Sequence, residues 1–215
     1  MKSIAYIVGV PIGNYKDITL RALQVLKEVS LILCEDTRET QKLLDEFLIK
    51  KDLISYVGSK DLSFKRGYEE LKKKNSIAIV SDRGMPCISD PGSDLICYFR
   101  SANFEIKVIP GVSSVTSSFS LTGLKGNFNF IGFLPRKATA IKQEIENNLR
   151  IKSHLIFFES SHRIQKTMQI LSDFIEKKIF ILKEITKTYE EFFFDTPEAL
   201  SKIDIKGELV VIIPN

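Results

Sequence analysis

The chain has 215 residues, 44% hydrophobic and 27% charged, with 15 Phe and no Trp, a composition that suits a globular core and excludes disorder. Its 31 Lys plus Arg against 27 Asp plus Glu leave a net charge of +4, too mild an excess to diagnose nucleic-acid binding without local clustering. Cys34, Cys87 and Cys97 show no CxxC spacing, which argues against a metal site or a disulfide framework; the opening MKSIAYIVGVPIGN is too short an apolar run for a signal core or a membrane span, so a cytoplasmic, unanchored chain is expected.

The first half alternates apolar runs with amphipathic stretches: IAYIVGV, ITLRALQVLKEV, LILCE, TRETQKLLDEF, LISYV, KRGYEELKKK, SIAIVSD, DLICYFRSA and FEIKVIP. Apolar runs without alternation suit strands buried on both faces, so the rhythm predicts a parallel sheet covered by helices. Ile18, Ala22, Val25, Leu26 and Val29 recur at helical spacing behind Asp17, the expected N-cap. From Gly111 the composition turns rich in Ser, Thr and Gly, and the lobe boundary is placed here, giving lobes 1–117 and 118–215. Beyond it FNFIGFL, HLIFFES, KIFILKEI, EEFFFDT and ELVVIIP read as strands, with helices over 139–149 and 164–174. The last two strands are so close in sequence that they are expected to pair antiparallel in a mixed sheet.

Several strings stand at predicted strand ends, where α/β sheets bind ligands. VGVPIGN lacks the GxGxxG pattern and no GxxxxGK[ST] occurs, so nucleotide-phosphate readings lose weight; a plain strand-to-helix turn is its alternative. SDRGMPCISDPG holds two Asp, two Gly and two Pro in twelve residues. Its glycines permit close backbone approach and its prolines fix the path, so it favours a binding loop over Asp82 and Asp90 being mere turn formers. In IPGVSS, Ser113 and Ser114 either cap a helix or meet a ligand. In the second half GFLPRK, ESSHR and KEITK bring Arg136, Lys137, Arg163, Lys183 and Lys187 to successive strand ends, a pattern that favours an anionic substrate. His162 lies beside them as a possible contact or proton carrier, whereas His154 reads as structural. Lys72, Lys73 and Lys74 read as a solvated helix end.

Taken in order, VPIGNYKDIT, CEDTRETQKLL, SDRGMPCISDPGSDL, IPGVSS, GFLPRK, FFESSHRI, KEITKTYEEF and KGELVVII resemble the ribosomal RNA small-subunit methyltransferase I family, within the tetrapyrrole-methylase (class III methyltransferase) superfamily, over nearly the whole chain. The resemblance implies a two-lobed α/β fold, with a mostly parallel sheet in the N-terminal lobe, a mixed sheet in the C-terminal lobe and S-adenosylmethionine held in the cleft between. It further implies 2′-O-methylation of a cytidine ribose in small-subunit (16S) ribosomal RNA, free or in the assembled 30S subunit, by a homodimer that needs no metal. Carried over by motif, the donor site comprises Pro11, Gly84, Met85, Pro86, Ile88, Ser113, Ser114, Phe133 and Leu134. Glu35, Asp36 and Glu159 are candidate proton acceptors for the ribose hydroxyl, and Arg38, Arg136, Lys137, His162, Arg163, Lys183 and Lys187 candidate RNA contacts. In the competing reading, Asp36 and Arg38 organise their loop through hydrogen bonds. SDRGMP is bulkier at Arg83 and Met85 than the family's usual SDAGTP, and ESSHR replaces the usual ESPHR. The rival functions are a small-molecule methylase of the same superfamily, acting on a tetrapyrrole, and a noncatalytic RNA-binding module.

Overall fold

A computed structural model describes residues 3–215, and the chain divides into two units, Met1–Ser113 and Ser114–Asn215. The first is built of β1 (Ile4–Val8), α1 (Leu20–Glu28), β2 (Leu31–Cys34), α2 (Thr37–Glu46), β3 (Leu53–Ser55), α3 (Lys60–Lys72), β4 (Ile77–Val80), α4 (Ser93–Ser101) and β5 (Glu105–Ile109). Its five strands run in the order β3-β2-β4-β1-β5, every pair parallel. Every residue of β2 and β4 is buried, and successive residues feed opposite cores. Ile32, Cys34, Ala78 and Val80 pack with Ala22 and Leu26 of α1 and Leu43 and Leu44 of α2. On the other face Leu31, Leu33, Ile77 and Ile79 pack with Leu71 of α3 and Leu95 and Phe99 of α4. That double demand is why these strands read as unbroken apolar runs.

The start of α1 differs from the sequence expectation. Asn14 opens a short 3₁₀ turn over Tyr15–Asp17, its Oδ1 accepting from the Lys16 amide at 3.1 Å. That turn absorbs Asp17, so the cap falls to Thr19, whose hydroxyl accepts from the Ala22 amide at 3.0 Å.

The second unit contains α5 (Ser114–Thr122), β6 (Phe128–Phe133), α6 (Ala138–Leu149), β7 (His154–Ser160), α7 (Ile164–Ser172), β8 (Ile179–Lys183), β9 (Glu191–Asp195), α8 (Pro197–Leu200) and β10 (Glu208–Ile213). The division expected between residues 117 and 118 falls inside α5, whose Val115 and Phe119 pack with Ile156, Phe180 and Leu182 of the second unit's sheet. The strand order is β6-β7-β10-β8-β9, with β6 and β7 parallel and the remaining pairs antiparallel. The expected pairing of the last two strands is therefore corrected: β9 folds back on β8, and β10 inserts between β7 and β8. Burial explains the choice. Residues Leu209–Ile213 of β10 are all buried, as a central strand requires, while β9 leaves Phe192 and Phe194 exposed at an edge. No helix among the described residues is long and apolar enough to cross a membrane.

Candidate functional site

Three loops meet at the carboxyl ends of β1, β4 and β5. The Gly9 amide donates to the Ile109 carbonyl and the Val10 amide to the Gly84 carbonyl, each at 2.9 Å. A Cβ on Gly9 would lie 2.6 Å from the Gly111 nitrogen and from Met85 Sδ, and one on Gly111 would lie 2.8 Å from the Gly9 carbonyl carbon. Only glycine lets these main chains approach so closely. Pro11, Gly84 and Pro86 are buried within the knot, Met85 is half-buried and Ile88 is exposed at its rim. Ser113, the last residue of IPGVS, ends this unit, and Ser114 begins α5 of the next.

The loop from Ser81 to Gly92 holds a run of left-handed backbone: Gly84 at φ 69°, Cys87 at 71°, Ser89 at 63° and Gly92 at 122°. A non-glycine residue there costs about 1–2 kcal/mol and persists only where neighbours over-determine it. Tyr56 supplies one such constraint, its hydroxyl shared between the carbonyls of Val80 at 3.0 Å and Pro91 at 3.5 Å, the two ends of the loop. Burial drives the Tyr56 phenol far above its ordinary pKa, keeping it a neutral donor. Ser81 Oγ adds a bond to the Arg83 carbonyl at 3.0 Å. Tyr56 went unnoticed in the sequence, where its signal is a phenol inside an apolar run, which must find a polar partner once buried.

A second cluster joins β2 to β4. The chain leaves β2 toward β3 but leaves β4 in the opposite direction, toward β5, and such a switch opens a crevice at the strand ends. Here the Asp36 amide donates to Asp82 Oδ1 at 2.9 Å and the Asp82 amide to Glu35 Oε2 at 3.3 Å, a reciprocal clasp. Burial raises the Glu35 carboxyl, with the charges of Asp82, Asp90 and Asp36 adding to it. Burial likewise raises Asp82 and Asp90. Asp36 goes the other way, held down at about 2 by its hydrogen bonds to Arg38. The Arg38 guanidinium grips it with Nε at 3.1 Å from Oδ1 and Nη2 at 2.6 Å from Oδ2, while Asp36 also N-caps α2. This is the loop-organising arrangement of the competing reading. A carboxylate of raised pKa is the better proton acceptor near neutrality, which distinguishes Glu35 from Asp36.

In the second unit β6, β7 and β8 point the same way, because β10 lies antiparallel to both β7 and β8, so GFLPRK, ESSHR and KEITK share one sheet edge. Glu159, with a fully buried side chain, accepts from Thr167 Oγ1 at 2.7 Å and from the Ser160 amide at 2.8 Å, and lies 3.4 Å from Arg163 Nε. Arg163 Nη2 in turn donates to the carbonyls of Leu134 at 3.0 Å and Pro135 at 2.7 Å. The ESSHR turn thereby clamps the GFLPRK loop, leaving Phe133 exposed beside Phe158 and Leu134 buried. Thr167 also escaped notice, although a lone hydroxyl on the apolar face formed by Ile164, Met168 and Leu171 is a legible sign of a buried polar partner.

Lysines at this edge are spent internally. Lys183 pairs with Glu191 at 2.8 Å, and Lys187 with Glu184 at 3.1 Å and Glu208 at 2.9 Å. Arg136 and Lys137 are exposed and have no ion-pair partner among the described residues, and His162 is exposed beside them. His154 opens β7 as a structural residue. Its Nε2–H donates to the Lys125 carbonyl and its Nδ1 accepts from the Asn215 amide, each at 2.9 Å, which places the ring proton on Nε2.

A parallel unit with interlocked Gly/Pro loops, followed by a mixed-sheet unit, defines a protein of the tetrapyrrole-methylase class, and the model of the "Tetrapyrrole (Corrin/Porphyrin) Methylases" matches residues 5–200. A crystal structure of diphthine synthase shares the fold at a TM-score of 0.76 and 17% identity, covering 98% of this chain and 89% of that one. In sequence, the "Ribosomal RNA small subunit methyltransferase I" of Halalkalibacterium halodurans is 40% identical over 99% of this chain and 76% of its own length. That of Thermotoga maritima is 40% identical over 96% of both. The chain belongs to the ribosomal RNA small-subunit methyltransferase I family.

Proposed function

We propose that this protein is a methyltransferase that transfers a methyl group from S-adenosylmethionine to a cytidine 2′-hydroxyl of small-subunit ribosomal RNA, free or within the 30S subunit. Its working form is a cytoplasmic homodimer. The observation that carries the reading is the knot of VPIGN, SDRGMP and IPGVS at the carboxyl end of the parallel sheet, joined to near-full-length likeness to ribosomal RNA methyltransferases. The residues present fit the donor: glycines at main-chain contact and a loop held in left-handed backbone favour recognition of a flat nucleoside by main-chain atoms.

S-adenosylmethionine, the methyl donor of this class, supplies an electrophilic methyl group on a sulfonium sulfur. Holding it falls to Pro11, Gly84, Met85, Pro86, Ile88 and Ser113, at the strand ends of the first unit. Positioning is the larger part of the task, since alignment supplies on the order of 7–11 kcal/mol and a general base about 10²–10⁴-fold. Of the three carboxylates considered, Glu159 is closed off by its partners and Asp36 is tied to Arg38, which leaves Glu35 as the acceptor for the ribose proton. Glu159 and Arg163 act as positioning residues for GFLPRK. Arg136, Lys137 and His162 meet RNA, whereas Arg38, Lys183 and Lys187 are held in pairs with neighbouring carboxylates.

The test is incubation of the purified protein with labelled donor and small subunits from cells lacking the enzyme, followed by mass spectrometry of the nucleosides. A 2′-O-methylcytidine is expected, and Glu35→Gln should lower turnover by about 10²-fold while donor affinity holds. No methylated nucleoside would remove the reading, and unchanged turnover in Glu35→Gln would remove Glu35 from the base role.

A further inference from the structure

One face of the first unit carries chemistry that the strand-end loops do not use. Along α3, Lys60, Phe64, Tyr68 and Lys72 recur at four-residue steps and so share one stripe, on a helix of thirteen residues that is about 20 Å long. Tyr98 of α4 stands beside them, its ring centroid 4.9 Å from that of Phe64 and 6.1 Å from that of Tyr68. An ammonium group sits over each end: Lys60 Nζ is 5.8 Å from the Phe64 centroid and Lys72 Nζ 5.4 Å from that of Tyr68. These side chains line an open groove of about 620 Å³, whose rim holds four lysines, Lys65 and Lys73 included, against Asp61 and Glu69. Lys65 and Lys72 have no ion-pair partner among the described residues.

Aromatic edges bracketed by ammonium groups match a single-stranded nucleic acid, whose bases stack on rings while its phosphates meet the cations. A second copy of the chain fits poorly, because face-to-face docking would set lysines against lysines. The groove also leads somewhere useful. Lys60 pairs at 2.7 Å with Asp94, two residues beyond Gly92, where the donor loop ends, so a strand leaving the groove arrives at that loop.

We propose that the α3–α4 groove is a second RNA contact, which holds a short unpaired segment of ribosomal RNA flanking the residue to be methylated. This rests on the reading of ribosomal RNA as substrate. The experiment measures binding of a fluorescent single-stranded oligoribonucleotide, and methylation of small subunits, by wild type, Lys65→Ala/Lys72→Ala and Tyr98→Leu across a salt series. Donor affinity, thermal unfolding and oligomeric mass are recorded alongside. The double lysine variant is expected to flatten the salt slope by about 1.4, at roughly 0.7 per phosphate contact. Tyr98→Leu is expected to weaken binding by roughly 5- to 100-fold through lost stacking, with donor affinity and folding unchanged. Variants that bind RNA with wild-type slope and affinity, while wild type methylates subunits, would overturn the groove and leave the function standing. A change in oligomeric mass without loss of RNA affinity would overturn it in favour of a second copy, and competition by polyglutamate but not by RNA would overturn it in favour of an acidic protein. If wild type neither binds RNA nor methylates subunits, the functional reading falls and the groove falls with it.

Discussion

The two units gather charge at their sheet edges in opposite ways. In the first, every strand runs parallel, so residues that follow the strands pile up at one edge. Glu35, Asp36, Asp82 and Asp90 meet there, with Arg38 on Asp36 and the charge of Arg83 acting on Asp82, and burial, with like charges adding to it, raises three of the four. In the second unit the antiparallel strands start at the edge where β6, β7 and β8 end. The first residues of β9 and β10, Glu191 and Glu208, therefore land beside Lys183 and Lys187 and neutralise them. At the first edge carboxylates outnumber their cations, and at the second each lysine meets an acid from an antiparallel neighbour. The first edge thus holds partly buried carboxylates of raised pKa, while the second is settled into a scaffold that leaves Arg136 and Lys137 exposed.

The contrast is sharpest where main-chain geometry is set against side-chain pairing. Gly9→Ala forces a Cβ to within 2.6 Å of the Gly111 nitrogen, which the backbone cannot yield cheaply. A loss of about 3 kcal/mol or more is expected in denaturant unfolding, together with loss of donor binding by calorimetry; a wild-type midpoint would show that the knot is loose. Glu159→Ala leaves the buried Thr167 hydroxyl without its partner and removes the carboxylate beside Arg163, and about 1–3 kcal/mol should be lost. With Arg163 less firmly oriented toward the GFLPRK carbonyls, its kinetic effect should fall on KM for RNA more than on donor affinity, and an unaltered KM would break the assignment of Glu159 as a positioning residue.

The smallest effect concerns acidity. Glu35, Asp82 and Asp90 have folded-state pKa values above their unfolded ones, so the folded state binds their protons more tightly. Their contribution to stability is present at the ordinary carboxylate range near pH 4 and is lost as pH rises through the raised values. Asp36, held down at about 2, acts oppositely, its contribution disappearing only as pH falls toward that value. Asp82→Asn keeps an acceptor for the Asp36 amide and removes one repelling charge. Its Tm relative to wild type should rise by about 2 °C or less between pH 4 and pH 7. A constant difference would show that the carboxylates do not repel.

Much of this was legible in the residues because it rests on local chemistry. Runs such as LILC and IAIV announce strands buried on both faces, and the Gly and Pro of SDRGMPCISDPG announce a loop of special backbone, since only those residue types meet such demands cheaply. Basic residues after β6, β7 and β8 were visible too, but not their fate. Whether a lysine is free depends on which acid the topology brings opposite it, and Glu208 lies 21 residues from Lys187 along the chain. The lysine-and-ring stripe of α3 was likewise hidden, because the helix begins at Lys60, ahead of its most visibly charged stretch, and its third ring, Tyr98, comes from another helix.

The sequence by itself determined the alternation of strands and helices, the double-faced burial of the first sheet, the positions of the loops that turn back on themselves and the family to which the chain belongs. The first three follow from side-chain polarity, backbone allowance and short-range order, and the family from the likeness of the motif strings taken together. Only the tertiary structure decided that β10 enters between β7 and β8, that Glu159 is enclosed by its partners while burial raises Glu35, and that Lys183 and Lys187 are spoken for. Those outcomes depend on strand direction and long-range pairing, which no local pattern of residues encodes.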